Sequence, residues 1–168
     1  MKTTDLMIEK TCTMLSMQDD MNRHVDADWL TREREWYRAI WIECAELMDH
    51  YGGWKWWKHA EPDYAQAMLE IVDIWHFGLS LRIDASREYR RIATDIIVEW
   101  ESPRSDLAFL KEVEYLAGAA LGEQRFAVGS VRNLLESIGC GFNCLYRAYV
   151  GKNVLNVFRQ DHGYKSGG

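Results

Sequence analysis

Two pairs of acids stand out in this chain of 168 residues, Glu43-x-x-Glu46 and Glu70-x-x-Asp73. Residues three apart on a helix share a face, with Cβ atoms about 5–6 Å apart, so each pair sets two carboxylates side by side. Around the first pair, Tyr37, Ile40, Cys44, Leu47 and Tyr51 recur at spacings of three and four and make one apolar stripe. The stripe beside it, Trp36, Ala39, Glu43, Glu46, His50, begins apolar and turns acidic. The second pair sits inside the run from Ala67 to Leu81, which is apolar nearly all round, as befits a helix in the middle of a bundle. Antiparallel packing of these two helices would let four carboxylates converge. Left alone they would repel one another and lose hydration. No arginine lies in the core of either run, whereas a hard divalent cation such as Mg²⁺ takes oxygen ligands and commonly a substrate phosphate as well. One such pair is usually a solvated helix face; two pairs against buried seams point to a metal site.

Near the C-terminus, Lys152, Asn156 and Arg159 fall on one helical face at spacings of four and three, suited to an anion plus hydrogen-bonding groups. Gln18 and Asn22, four apart beside Met14, Met17 and Met21, carry both donors and acceptors, as reading the edge of a pyrimidine requires. The connector Trp54-Lys-Trp-Trp-Lys58 can stack a base and touch phosphate, or act as an amphipathic hinge. His76, three residues after Asp73, reads as a hydrogen-bonded core histidine rather than a ligand. Cys140 and Cys144, separated by Gly-Phe-Asn, have no second Cys/His pair to complete a zinc site and read as small buried hydrophobes in a reducing compartment.

These groups need a scaffold, and the composition suits a helical one. With 48% hydrophobic and 27% charged residues the chain can bury a core, which excludes disorder as its main state. Its net charge of −6 makes it a poor generic binder of a nucleic-acid polymer. No apolar run reaches the roughly 18 residues that would span a membrane, and no secretory signal pattern opens the chain. Prolines occur only at 62 and 103. The patterning predicts helices over about 5–23 with Thr4 or Asp5 as N-cap, 31–51, 61–83, 86–100, one starting at Ser102-Pro103 and weakening at Gly118 and Gly122, 125–137, and 142–158 with a bend at Gly151. Residues 24–30 read as a linker. The expected fold is an all-α helical bundle in a single domain, residues 1–168, with no strand meander or βαβ unit.

Taken together, Glu43-Cys-Ala-Glu-Leu-Met-Asp, the Trp-Lys-Trp-Trp-Lys connector, Glu70-Ile-Val-Asp-Ile-Trp-His-Phe and Lys152-Asn-Val-Leu-Asn-Val-Phe-Arg-Gln-Asp-His-Gly-Tyr-Lys resemble, in order, the motifs of the dimeric all-α dUTPases, part of the all-α nucleoside triphosphate pyrophosphatases. The resemblance spans positions 18 to 165. It implies Mg²⁺-dependent hydrolysis of dUTP, and of dUDP, to dUMP by an activated water. Glu43, Glu46, Glu70 and Asp73 match the metal-binding acids, with Glu43 ahead of Glu46 as general base. Gln18 and Asn22 match the base-reading positions, Trp57 the aromatic near the base and Lys58 a base near the phosphates. Lys152, Asn156, Arg159, Tyr164 and Lys165 match the groups that hold sugar and phosphates. A homodimer is expected, both from the resemblance and from the eight tryptophans a thin bundle must hide, in the cytoplasm, or the host's if phage-encoded. The segment from about 84 to 124 does not resemble the family's mobile region, and the chain stops at Gly168, before a further phosphate motif of many members. Compact phage relatives that accept dCTP as well as dUTP end near there. The alternatives are therefore a dCTP/dUTP pyrophosphatase of phage type, another all-α pyrophosphatase, or a non-enzymatic helical interaction module.

Overall fold

The run that is apolar on nearly every side becomes the central helix of an all-α bundle. A computed structural model describes residues 2–103 and 105–163, so Tyr164 and Lys165 lie outside the described residues. Among the described residues there are seven helices and no strand: α1 (Thr3–Val25), α2 (Trp36–Tyr51), α3 (Tyr64–Arg82), α4 (Tyr89–Trp100), α5 (Phe109–Glu123), α6 (Val128–Ser137) and α7 (Phe142–Asp161). Helix α3 touches α1, α2, α6 and α7, and its Ile71, Ile74, Trp75 and Leu79 are wholly buried. Gly78 lets the Phe126 ring lie on the α3 backbone; a Cβ there would sit 2.2 Å from a ring carbon. No helix among the described residues is long and apolar enough to cross a membrane.

Helices α2 and α3 run antiparallel. Trp36 stacks on Phe77, Glu43 bonds Glu70, and the His50 carbonyl accepts from the Asp63 N–H at 3.0 Å. Between successive contacts the chain advances along α2 and retreats along α3 by two turns, so residues on the two facing stripes stay in register.

Several boundaries differ from the sequence reading, each for a local reason. Helix α1 starts at Thr3, with no side-chain cap from Thr4 or Asp5. Helix α2 starts at Trp36, because residues after Val25 form turns tied by Asp26 to Arg32 (2.9 Å). Helix α3 is capped by Asp63, whose carboxylate accepts from the Gln66 N–H, so Pro62 precedes the helix. Ser102 is not an N-cap: its hydroxyl donates to the Val98 carbonyl and closes α4, and α5 begins at Phe109. Gly118 and Gly122 do not break α5. They lie on its exposed face, and the burial of Val113, Leu116, Ala119 and Ala120 outweighs their cost of about 1 kcal/mol each. Helix α6 begins at Val128, and α7 continues through Gly151. The cysteine reading is corrected too: Cys140 and Cys144 are joined in a disulfide at the start of α7, and only Cys12 and Cys44 are free thiols.

The α1–α2 linker is held from beneath by a buried acid. The Asp19 side chain is completely shielded, yet it accepts from Trp29 Nε1 (3.0 Å), Arg87 Nε (2.8 Å), Arg23 and the Tyr89 hydroxyl. Burial alone would raise its pKa, but these donors outweigh it and hold the carboxyl below its usual value. The stability it supplies is therefore present above the ordinary carboxylate pKa, near 4, and is lost as pH falls through the lowered one. Asp19→Asn should cost about 3 kcal/mol, the low end for breaking a buried ion pair because both arginines keep some hydration. It should also remove this component of the acid limb. Urea unfolding at pH 7 and below pH 4 checks both; identical midpoints for variant and wild type would contradict the assignment.

Candidate active site

The carboxylates sit where α2 and α3 face each other. Oxygens of Glu43, Glu46 and Glu70 lie within 4.8 Å of one another, with Glu70 buried, Glu43 half-buried and Glu46 exposed. Glu70 Oε1 accepts from Gln66 Nε2 (2.8 Å), and His50 Nε2 stands 3.6 Å away. The other oxygen of Glu70 and Oε2 of Glu43 are buried with no hydrogen-bond donor. Asp73, one turn further along α3, is met by Lys152 from α7 at 3.3 Å. So three of the four expected acids converge, and the fourth stands beside them in an ion pair across to the basic stripe.

Three acids this close cannot all be charged without a cation. Burial, then the hydrogen bond to Glu70, then the negative charges of Glu70, Asp73 and Glu46 push the Glu43 carboxyl up to about 9. Glu70 goes the other way. Burial opposes its ionisation, but the hydrogen bonds from Glu43 and Gln66 and the nearby His50 hold its pKa below the usual value. The pair thus keeps one proton at neutral pH, on Glu43. An all-oxygen set with two buried, unpartnered carboxylate oxygens fits a hard divalent cation of the Mg²⁺ kind and none of the softer metals that favour sulfur or imidazole.

Beside the acids opens a cavity of about 440 Å³ between α1, α3, α7 and the α1–α2 linker. One set of lining groups consists of two amides and an imidazole: Gln18, Asn22 and His76. Another is ionic: Asp73, Lys152, Arg159 and Arg34. Trp29, Trp36 and Phe77 supply apolar wall, and Asn156 lines the cavity almost fully buried. The expected residues Gln18, Asn22, Lys152, Asn156 and Arg159 are therefore gathered around one space, from helices more than a hundred residues apart in sequence. A His24–Asp161 contact of 2.8 Å ties the ends of α1 and α7 on either side of it.

Trp57 and Lys58 are not among this lining. After Gly52 and Gly53, both at positive φ, the connector turns off the end of α2; Trp57 is 61% exposed with its ring edge-on to Trp56, and Lys58 lines a separate small cavity with Asp49 and Trp54. Other lining groups were not legible as such. His76 is the buried core histidine expected, bonded through Nδ1 to Gln18 Oε1 at 2.8 Å, but it also faces the cavity. Arg34 and Trp29 come from the linker, where no periodicity marks them, and Trp36, which heads the acidic stripe of α2, carried no sign that it would face this cavity. Gln160 lines the cavity with a buried, unpartnered oxygen, and its place after Arg159 in the basic stripe is the only signal it had.

Repulsion among the acids has a measurable sign. Because the Glu43 pKa is raised, the native metal-free protein holds a proton that the unfolded chain releases, so stability falls as pH climbs from about 4.5 toward 9. Glu43→Gln should flatten that slope and raise the melting temperature of the metal-free protein at pH 8, while abolishing any stabilisation by added Mg²⁺. Thermal melts from pH 5 to 9, with chelator and with Mg²⁺, test this; an unaltered slope in the variant would refute the shared-proton picture.

The model for the family described as dUTPase matches residues 10–164, from the first turns of α1 to just past α7. A search of curated proteins finds no match. With an all-helical fold and a family match over nearly its whole length, the chain belongs to the all-α dUTPase family and is a dUTP diphosphatase.

Proposed function

We propose that the protein hydrolyses dUTP, and dUDP as well, to dUMP with the help of Mg²⁺ held by Glu43, Glu46 and Glu70, with Asp73 as the adjoining fourth acid. The observation that carries this is the carboxylate cluster with its two unpartnered buried oxygens, opening beside a cavity that has both amide and cationic walls. The bound cation would supply charge neutralisation on phosphate oxygens and ease the deprotonation of water. The chain's own groups do the rest. Lys152 and Arg159 hold the phosphates, Arg159 by its fork and Lys152 as a point charge it now shares with Asp73. Asn156 hydrogen-bonds the sugar, and Gln18 and Asn22 take the base. Once a bound cation had displaced its proton, Glu43 would accept the proton of the attacking water, burial and the neighbouring acids having raised its proton affinity. The acidic net charge of −6 fits a small nucleotide gripped locally rather than a nucleic-acid polymer.

We further infer a homodimer, in keeping with the exposed Trp56, Trp57, Val154, Leu155 and Phe158, apolar area that a lone small domain seldom leaves in water. Light scattering at micromolar concentration should return twice the chain mass; a monomer mass would overturn this part alone.

Pyrophosphate release from dUTP, followed with Mg²⁺ and after chelation, tests the function. Glu46→Gln and Asp73→Asn keep size but lose charge, and each should lower turnover by about a hundredfold or more, beyond the 10–100-fold typical of groups one shell further from a metal. Near-native turnover in both folded variants, or activity indifferent to chelation, would sink the metal-site reading.

A further inference from the structure

The amide edge of the cavity ends on a side chain that can only donate. Gln18 Oε1 lies 2.8 Å from His76 Nδ1, and Asn22 Nδ2 donates to Ser80 Oγ (3.0 Å), so the edge climbs α1 in step with α3 and away from Asp73. One turn past Asn22 comes Asp26, whose N–H donates to the Asn22 carbonyl (2.9 Å). Arg34 meets it there, with Nη2 3.9 Å from Asp26 Oδ2, and both residues line the cavity. Arg34 thus continues the row that Gln18 and Asn22 begin.

The α2 side fixes its place as well. Arg34 stands just before Trp36, which stacks on Phe77, whereas Glu43 bonds Glu70. Trp36 and Glu43 are about 10 Å apart along the helix, so Arg34 sits at the end of the cavity remote from the acids. It also lines a neighbouring cavity of about 470 Å³ with Ser80, Leu81 and Gln124, to which no described residue of α7 contributes. It therefore belongs to the wall away from α7. Asp26 is an acceptor in the same place, but its oxygens are engaged: Oδ2 accepts from Arg32 Nε (2.9 Å) and Oδ1 from the Asp28 N–H (3.0 Å). Arg34 is beyond hydrogen-bond distance of it and 60% exposed, and its five N–H groups leave donors for a ligand.

We propose that Arg34 is a specificity-determining residue that selects uracil over cytosine by donating to uracil O4, a proposal that rests on the reading of Gln18 and Asn22 as the base site. With the phosphates at the acids and the sugar on Asn156 of α7, the carbonyl beside the glycosidic nitrogen faces those elements. O4, across the ring, faces the linker. Cytosine carries an amino group at that position. A carboxamide can turn over and serve either base, so the amides alone do not decide between them. A guanidinium has no acceptor and stays protonated, so it meets a carbonyl with a hydrogen bond and an amino group with donor against donor.

Arg34→Met removes the charge and every side-chain donor. The ratio of kcat/KM for dUTP to that for dCTP should fall about tenfold, the low end for a hydrogen bond from a charged group. The loss should appear in KM. Affinity for dUMP should fall by the same factor, with dCMP and inorganic pyrophosphate not weakened, and Arg34→Lys, still an acceptor-free cation, should keep part of the preference. Equal weakening of dUMP, dCMP and pyrophosphate would make Arg34 a phosphate ligand and overturn the proposal, as would a wild-type protein that binds dUMP and dCMP alike. Asn22→Ala separates the two layers. If it leaves dUMP binding intact, the base-site reading fails and the proposal with it; if it weakens dUMP while Arg34→Met keeps the wild-type ratio, the Arg34 proposal alone is overturned. Should Arg34→Met not fold, ¹⁵N NMR of the wild-type arginine side chains decides: Arg34 N–H signals that shift with dUMP and not with dCMP support the contact, and equal shifts overturn it.

Discussion

Mutual repulsion of carboxylates in the α2–α3 seam is the constraint around which this bundle is arranged. Glu43, Glu46 and Glu70 share a few ångströms of partly dehydrated space, a cost that must be met by packing elsewhere. Helix α3 meets it by being buried on almost every side. Ile71, Ile74, Trp75 and Leu79, all completely shielded, contribute about 1.5–3 kcal/mol each on burial. Register does the rest. Because α2 and α3 contact each other at matched two-turn intervals, the acids cannot slide apart to relieve their repulsion without undoing the Trp36–Phe77 stack and the His50–Asp63 bond. A proton on Glu43 relieves it instead, and a cation can replace that proton. The groups that weaken the fold are thus the ones whose oxygens a cation would need.

Opposite charge is supplied from two elements, the α1–α2 linker through Arg34 and helix α7. Helix α7 brings Lys152 and Arg159 to the cavity, and Lys152 already neutralises part of Asp73. In a chain of net charge −6 these bases have abundant acids to pair with, so their placement at this cavity is specific. The other part of the lining is left to amides and an imidazole, which suits a neutral heterocycle where fixed charge would be costly to dehydrate. One cavity therefore offers two chemistries, matched to a ligand that is neutral at one end and anionic at the other.

How much of this could be read from the sequence depends on whether the signal was local. The helices with strong apolar periodicity, α2 and α3, and the two acid pairs riding on them were legible because spacing alone puts them on a face. So was the basic stripe of α7. Helix starts were less so, because Pro62 and Ser102 carry start signals that tertiary packing did not use: Asp63 caps α3, and Ser102 closes α4. Gly118 and Gly122 looked like breakers only as long as the buried face of α5 was out of sight. Trp29 sat in a stretch that reads as linker, and nothing in the residues around it announces a partner ten positions back in α1. The Cys140–Cys144 spacing suits one helical face, and a thiol reading ignored that the first of the pair lies before the helix begins. Trp57 and Lys58 shared a motif with the site residues, but motif membership is a statement about order along the chain, and two positive-φ glycines decide where that chain goes.

Helix α1 shows why polar bonds, rather than apolar packing, set the precision of the cavity. Its apolar face is rich in methionine, a side chain that fills gaps without dictating them. Successive residues at its centre are instead pinned in different directions. Gln18 bonds to α3 and α7 through His76 and Tyr149, and Asp19 bonds to the linker and the segment before α4 through Trp29 and Arg87, and to Tyr89 at the start of α4. Neighbouring positions on a helix point about 100° apart, so the two anchors together fix the rotation of α1 about its own axis. Methionine contacts could re-form after a small rotation, whereas both sets of buried hydrogen bonds would break, each leaving polar groups unsatisfied at about 1–3 kcal/mol apiece. Asn22, one turn beyond Gln18, inherits that fixed angle. The amide edge facing the cavity is thus held to hydrogen-bond tolerance by a helix whose hydrophobic face, alone, would have let it drift.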